Sequence, residues 1–263
     1  MSSSRKIRST AVAALLAAAV AGVPASAQQA KPTPPTAADW TALAKLPDFT
    51  GVWEVSFGPP GGRGGGAGRG ARAGGPPAGP QLTPAYAEKR RVRMANPPED
   101  SQAANCLPPG MPGIMGQPYP MEFLLTPGLV TIVIEAYTQV RHIYTDGRPL
   151  PADPEPRFHG TSIGHWEGDT LVAETIGFSP QTDIAQATEH SDKMKIVERF
   201  RLADPDTMTI ETTITDPEAL TAPFVSNRTL RRHRAWTIAE YICEENNRNF
   251  VDTNGKAGIN IKK

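Results

Sequence analysis

Beyond about residue 120, short runs of alternating apolar and polar residues are separated by turn signals such as Asp146-Gly147 and Asp216-Pro217. Alternation with period two is the pattern of half-buried β-strands. The predicted strands cover 47–55, 129–137, 140–144, 161–166, 170–176, 194–202, 207–215, 224–231 and 236–242. Most gaps between them have hairpin length, so the pattern predicts an antiparallel meander, and a meander of about eight or nine strands tends to close into a barrel.

The pattern predicts one short helix outside the strands. It begins after Thr83, with Pro84 at its first position, and continues through good helix formers to Met94. We expect a single barrel domain over 48–252, preceded by a flexible leader over 28–47 and followed by a tail over 253–263. The insert at 58–80 consists of Gly, Pro, Ala and Arg with few large apolar residues, which predicts a disordered loop.

The first residues have the composition of a secretory signal. Basic residues at Arg5, Lys6 and Arg8 precede an apolar run over 10–23, and the run ends at a small-residue site over 25–27. We therefore expect a signal peptide over 1–27 and a periplasmic or secreted mature chain. No later segment has the length of a transmembrane helix, so we expect no membrane span after signal removal.

Composition and motifs exclude several functional classes. The chain has 27 basic and 27 acidic residues, so no net charge favours a nucleic acid partner. The histidine and cysteine spacings typical of metal sites are absent, as are dinucleotide and phosphate-binding motifs, and we expect no metal and no cofactor. Cys106 and Cys243 are the two cysteines, and in an exported chain such a pair is more often bridged than catalytic.

Strand parity places glutamates on the apolar faces of three strands. Glu198 shares a face with Ile196 and Phe200, and the same count puts Glu174 and Glu240 among apolar neighbours. Buried carboxylates are costly unless they are paired, so they predict a polar cavity or buried cations. Two arginines lie where they can supply the positive charge, Arg141 and Arg228. An alternative stays open, in which such ion pairs only hold the strands together.

Other candidates come from the loops and the aromatic residues. His190 lies between acidic residues in a long loop, where an imidazole can act as a general base; the alternative is a solvated loop histidine. His159 lies in another long loop at the predicted barrel mouth. The candidate catalytic residues are thus His190, Glu198 and Tyr144. The candidate ligand contacts are Arg141, His159, Trp166, Glu174, Arg228 and Glu240.

Several segments resemble known proteins. Gly51-Val52-Trp53 on the first strand resembles the G-x-W opening of lipocalin and calycin barrels. The segment 164–172, taken with 143–148, 197–200 and 241–247, resembles a family of exported, largely uncharacterised bacterial proteins common in sphingomonads and acidobacteria. The resemblance implies a lipocalin-like barrel in the cell envelope, and it supplies no established catalytic residues.

Two functional hypotheses remain open from the sequence. In the first, the barrel binds a small hydrophobic or aromatic molecule and acts on it as a cofactor-free acid-base lyase, isomerase or hydrolase. In the second, the barrel is a non-catalytic periplasmic carrier of such a ligand.

Overall fold

The computed structural model describes residues 34–57, 79–97, 102–243, 249–251 and 257–259. The predicted signal peptide, the beginning of the predicted leader, nearly all of the Gly/Pro/Arg loop and most of the predicted tail lie outside the described residues.

Nine strands form a closed barrel in which neighbours in sequence are neighbours in space. β9 closes on β1, with Leu230 opposite Val55. The strands are β1 Gly51–Val55, β2 Met121–Thr126, β3 Leu129–Ile134, β4 Gln139–Tyr144, β5 Thr161–Glu167, β6 Thr170–Ile176, β7 Lys195–Asp204, β8 Thr207–Thr215 and β9 Phe224–Arg232. A separate hairpin pairs β10 Asn249–Val251 with β11 Ala257–Ile259. The mainly β barrel predicted from the sequence is confirmed.

One strand pair departs from the antiparallel prediction. β4 and β5 run parallel, with Ile143 opposite Ser162. Parallel neighbours require a crossover of about a dozen residues or more, and the connection over 145–160 is long enough to return the chain to the same end. The remaining neighbours in the barrel are antiparallel.

Two of the predicted strands depart most from the structure, and the one predicted over 47–55 begins only at Gly51. The strand predicted over 129–137 ends at Ile134, and a 3-10 helix follows over Ala136–Thr138, with positive φ at Tyr137 and Thr138. The strand predicted over 236–242 is wrong, because this segment has no strand pairing. It is held instead by contacts such as that of the Ala239 N–H, which donates to Glu135 Oε2 over 2.9 Å.

The structure also contains elements that the sequence pattern did not reveal. β2 was missed, since its central Leu-Leu pair interrupts the alternation. The described residues contain two α-helices instead of one, α1 Ala37–Leu43 and α2 Pro84–Ala95. α1 lies inside the segment predicted as a flexible leader and begins with a reciprocal cap between Thr36 and Asp39. None of the described helices is long and apolar enough to span a bilayer.

The apolar core lies inside the barrel and continues under a short 3-10 helix, Gly113–Gly116. Trp53 is fully buried, and its indole N–H donates to the Phe49 carbonyl over 2.9 Å. Five methionines are buried in this core. They are Met111, Met115, Met121, Met194 and Met208. Methionine side chains adapt their shape easily, so this core can adjust more readily than one of branched residues.

The predicted disulfide is confirmed. Cys106 and Cys243 are bonded, with their Cα atoms 5.8 Å apart and a separation of 137 positions in sequence. The bridge joins the segment before the 3-10 helix Gly113–Gly116 to the segment after β9.

Candidate functional site

A buried ion pair lies inside the barrel between β4 and β7. Arg141 Nη2 donates to Glu198 Oε2, and each side chain is only 1% exposed. The same Nη2 lies 3.2 Å from Thr175 Oγ1 and 3.4 Å from Ser162 Oγ. The predicted inward orientation of Glu198 is confirmed, and of its two candidate partners Arg141 makes the direct contact.

A second guanidinium approaches this pair from β9. Arg228 stands opposite the buried Ile210 and therefore points inward with it. Burial lowers the pKa of Arg228, while the charge of Glu198 acts in the opposite direction. Gly116 lies against this side chain, because a Cβ atom added at Gly116 would be 3.0 Å from Arg228 Nε. Arg228 as a residue is only partly buried, but its Nη1 atom is fully buried.

We call these groups and their hydroxyl neighbours the interior polar cluster: Arg141, Ser162, Thr175, Glu198, Thr212 and Arg228. Several of its atoms are buried and have no hydrogen-bond partner among the described residues. They are Arg141 Nε, Arg141 Nη1, Glu198 Oε1, Thr212 Oγ1 and Arg228 Nη1. A buried polar group without a hydrogen-bond partner costs about 1–3 kcal/mol, so these atoms call for partners other than the described residues, such as buried water or a bound ligand.

His159 borders the cluster. Burial, together with the positive charge of Arg141, lowers the pKa of His159 to about 4, so the ring is neutral near pH 7. Its Nε2 lies 3.1 Å from Gln139 Oε1. Gln139 Nε2 donates to the Tyr137 carbonyl over 2.8 Å, which orients the amide so that His159 Nε2 is the donor. His159 Nδ1 is then a buried acceptor without a partner among the described residues.

His159 is expected to make stability depend on pH. Its pKa is about 4 in the folded protein against an ordinary value of 6.5, so between these values the unfolded chain binds a proton that the folded chain does not. Stability is therefore complete above about pH 6.5 and falls as the pH approaches 4, by about 2 kcal/mol at pH 5. Urea unfolding at about pH 7.5 and pH 5 measures this change in the parent protein and in His159→Gln. An equal pH dependence in both proteins would contradict the assignment.

The structure does not bring the other candidate residues to the cluster. Tyr144 lies on the outer face of β4, where the Arg148 guanidinium stacks over its ring at 3.9 Å. Glu174 also points outward, in an ion pair with Lys195. Glu240 is exposed on the irregular segment that replaces the predicted strand. The inward orientations predicted for Glu174 and Glu240 are wrong.

Trp166 does face inward, but it lies farther along β5 from Ser162. Its ring packs 5.2 Å from that of Phe49. With about 3.3 Å of rise per residue, four residues place Trp166 roughly 13 Å from Ser162. Trp166 therefore lies in a different part of the barrel interior, away from the cluster.

His190 is fixed by its own loop. Its Nδ1 lies 2.7 Å from the Ser191 carbonyl, and its Nε2 lies 3.0 Å from the Ser179 carbonyl and 2.9 Å from Thr182 Oγ1. A general base needs a ring nitrogen that can reach the proton it removes. Both nitrogens of His190 are engaged locally, so the geometry favours a structural role in the loop.

Sequence reasoning missed the hydroxyl members of the cluster: Ser162, Thr175 and Thr212. Threonine is a common strand residue and by itself signals no site. Thr212 could nevertheless have been predicted from the sequence, because a tight β7–β8 hairpin pairs it directly with Glu198. Thr175 was hidden because β6 is almost entirely buried, so its alternation does not identify the inner face.

Two hollows on the surface lie away from the cluster. One, of about 420 Å³, is lined by Asp48, Leu202, Asp204, Pro205, Arg232 and Arg234. The other, of about 330 Å³, follows α2 and is lined by Leu82, Ala87, Arg90, Arg91 and Met94. Neither hollow is the polar cavity that the sequence predicts around Glu198. Across the ranges that the structure describes, no three His, Cys, Asp or Glu side chains form a group suited to a metal ion.

Comparisons with known proteins add little to this description. No family model matches the chain, and no curated protein matches it. Among solved structures, a crystal structure of a mutant of the fluorescent protein UnaG is similar, with 12% identity, a TM-score of 0.32, and coverage of 70% of this chain and 96% of that chain. A likeness at this level says nothing about a ligand of the present chain.

Proposed function

We propose that this chain binds a small molecule inside its barrel and holds the polar part of that molecule at the interior polar cluster. The observation that carries the proposal is the set of buried donors and acceptors left without partners there. A ligand with polar atoms at that position satisfies groups that otherwise reduce the stability of the fold.

A purely structural role accounts less well for the cluster. An ion pair that only holds strands together gains most when its remaining hydrogen-bonding groups are also satisfied. Glu198 Oε1 and Arg141 Nη1 are both buried and unpartnered among the described residues. In binding sites, unsatisfied polar groups of this kind are prepared for the ligand and determine its orientation.

The arrangement favours a carrier over an acid-base enzyme. Of the three candidate catalytic residues, only Glu198 belongs to the cluster, since Tyr144 lies on the outer face and His190 is held by its loop. One oxygen of Glu198 is also occupied by Arg141. Acid-base catalysis requires proton donors and acceptors within reach of the same substrate, and the structure separates the candidates.

The surroundings of the cluster suit a ligand with an apolar body. Met115 and Met121 are buried in the core, and methionines can repack around ligands of different shape. Gly116 lies against the Arg228 guanidinium without a side chain of its own.

Binding is tested with the neutral fluorescent dye Nile red and a panel of fatty and aromatic compounds, using fluorescence and thermal unfolding. Thr212→Val removes one inward hydroxyl and keeps its shape. We expect it to change the affinity of polar compounds about 2–10-fold, the range of one hydrogen bond. The matched control is Thr209→Val, on the exposed face of the same strand. If no compound binds or raises the melting temperature, the proposed function is wrong.

We also propose that the chain is exported, as in the bacterial family that its sequence resembles. The signal-like first residues and the Cys106–Cys243 disulfide support this, since disulfides persist mainly in oxidising compartments. The intact mass of protein recovered from a periplasmic fraction is expected to correspond to a chain beginning at Gln28. Periplasmic protein that still carries Met1 would contradict cleavage of the signal peptide.

A further inference from the structure

We infer that the ligand is a monocarboxylic acid and that its carboxylate binds to the Arg228 and Arg141 guanidiniums. This inference rests on the proposed function and names the class of ligand. It follows from the charges of the interior polar cluster and from the atoms that are free to bond.

The charges around the cluster do not balance. Arg141 and Arg228 each contribute one positive charge, and Glu198 contributes one negative charge. His159 is neutral near pH 7 because burial and Arg141 hold its pKa low. Among the described residues that form or border the cluster, one positive charge is therefore left over in a buried environment, where an unpaired charge is costly. A single bound anion restores neutrality.

Arg232 is another arginine that points into the barrel, and it differs from Arg228 in having a carboxylate partner. Arg232, two positions beyond Leu230 on β9, pairs with Asp48 at 3.1 Å, and its guanidinium lies 4.5 Å from the centre of the Trp53 ring. That guanidinium has a carboxylate partner from its own chain. Arg228 has no such contact among the described residues: the charge of Glu198 acts on it, but the ion pair of Glu198 is with Arg141.

The free atoms of the two guanidiniums match an anionic acceptor. Arg228 Nη1, Arg141 Nη1 and Arg141 Nε are buried N–H donors without partners among the described residues. Arginine N–H groups form their strongest hydrogen bonds with carboxylates and phosphates. A phosphate dianion would exceed the single positive charge and would be repelled more strongly by the carboxylate of Glu198 than a monoanion, so a monocarboxylate fits better.

The experiment compares matched probes that differ in charge: trans-cinnamate against trans-cinnamamide, and decanoate against decanamide. Affinities for the full mature chain are measured by calorimetry and by displacement of Nile red. We expect each carboxylate to bind about 10–100-fold more tightly than its amide, the range of a charge-assisted hydrogen bond. Decyl phosphate, tested in parallel, should bind more weakly than decanoate.

Two substitutions should shift this preference in opposite directions. Arg228→Met removes the unbalanced charge together with the free Nη1 donor, and should therefore lower carboxylate affinity far more than amide affinity, so that most of the preference for carboxylates is lost. Glu198→Gln increases the positive charge and should strengthen carboxylate binding several-fold. Arg201→Met, on the exposed face of β7, is the control and should bind like the parent. If Glu198→Gln does not fold, Arg228→Met still decides the question, because Arg228 makes no ion pair with the described residues.

The outcomes separate the two proposals. Equal affinity for carboxylates and amides, an unchanged preference in Arg228→Met, or tighter binding of decyl phosphate would overturn the inferred ligand class and leave small-molecule binding intact. Absence of binding by Nile red and by all the probes would overturn both. Loss of the carboxylate preference in Arg228→Met, with the melting temperature kept, supports the inference.

Discussion

Glu198→Gln is expected to lower the free energy of unfolding by about 3–5 kcal/mol, the cost of breaking a buried ion pair by removal of one partner. Gln preserves the volume of the side chain and removes its charge, so Arg141 is left buried, 1% exposed, without a countercharge in contact. Chemical denaturation with urea at neutral pH measures the change.

A double variant isolates the cause of this loss. In Arg141→Met with Glu198→Leu, both charges are removed and apolar side chains of similar size replace them. Such a replacement is commonly neutral or stabilising, so we expect the double variant to unfold at a higher urea concentration than Glu198→Gln alone. A double variant as unstable as the single one would show that the hydroxyl contacts of Thr175 and Ser162 matter more than the charge balance.

Removal of the disulfide is expected to have an effect of similar size. The bridge closes a loop between residues 137 apart in sequence, and the chain-entropy relation gives about 5 kcal/mol for a loop of that length. Cys106→Ser with Cys243→Ser should therefore unfold at a much lower urea concentration than the oxidised parent.

The reduced parent protein is the matched control for this variant. Reduction before unfolding should give the stability of the double serine variant, because both lack the same constraint. Two free thiols in unfolded, unreduced protein would contradict the bridge, as would equal stability of the variant and the oxidised parent.

The inward position of Glu198 could be predicted from the sequence because β7 has one buried face and one exposed face. Ile196 and Phe200 are buried with it, while Arg199 and Arg201 are exposed. The same count failed for Glu174, because β6 is buried on nearly every position and its inner face is the one with Leu171, Ala173 and Thr175. Alternation identifies a face only when the two faces of a strand differ in exposure.

The segment 236–242 shows a second limit of the pattern. Its residues alternate as in a strand, but it has no strand partner and instead crosses the 3-10 turn at Tyr137, where Thr138 Oγ1 donates to the Tyr241 carbonyl over 3.1 Å. A strand requires a neighbouring edge for its hydrogen bonds. β9 is already paired on both sides, with β8 and β1, so the closed barrel leaves no edge for another strand.

Local information in the chain was therefore sufficient for the class of fold, for most of the strands and for the face of Glu198, because alternation and turn residues act over a few neighbouring positions. It indicated Arg141 and Arg228 as possible partners of Glu198, but it could not decide which of them makes the contact, and it missed the hydroxyl neighbours. Arg141 lies 57 residues away in sequence, and it reaches Glu198 only because β4 and β5 pair in parallel and the barrel closes. The surplus positive charge in the barrel interior arises only when the closed barrel brings Arg141, Glu198 and Arg228 together. Each of these residues, considered alone in the sequence, lies in an ordinary strand.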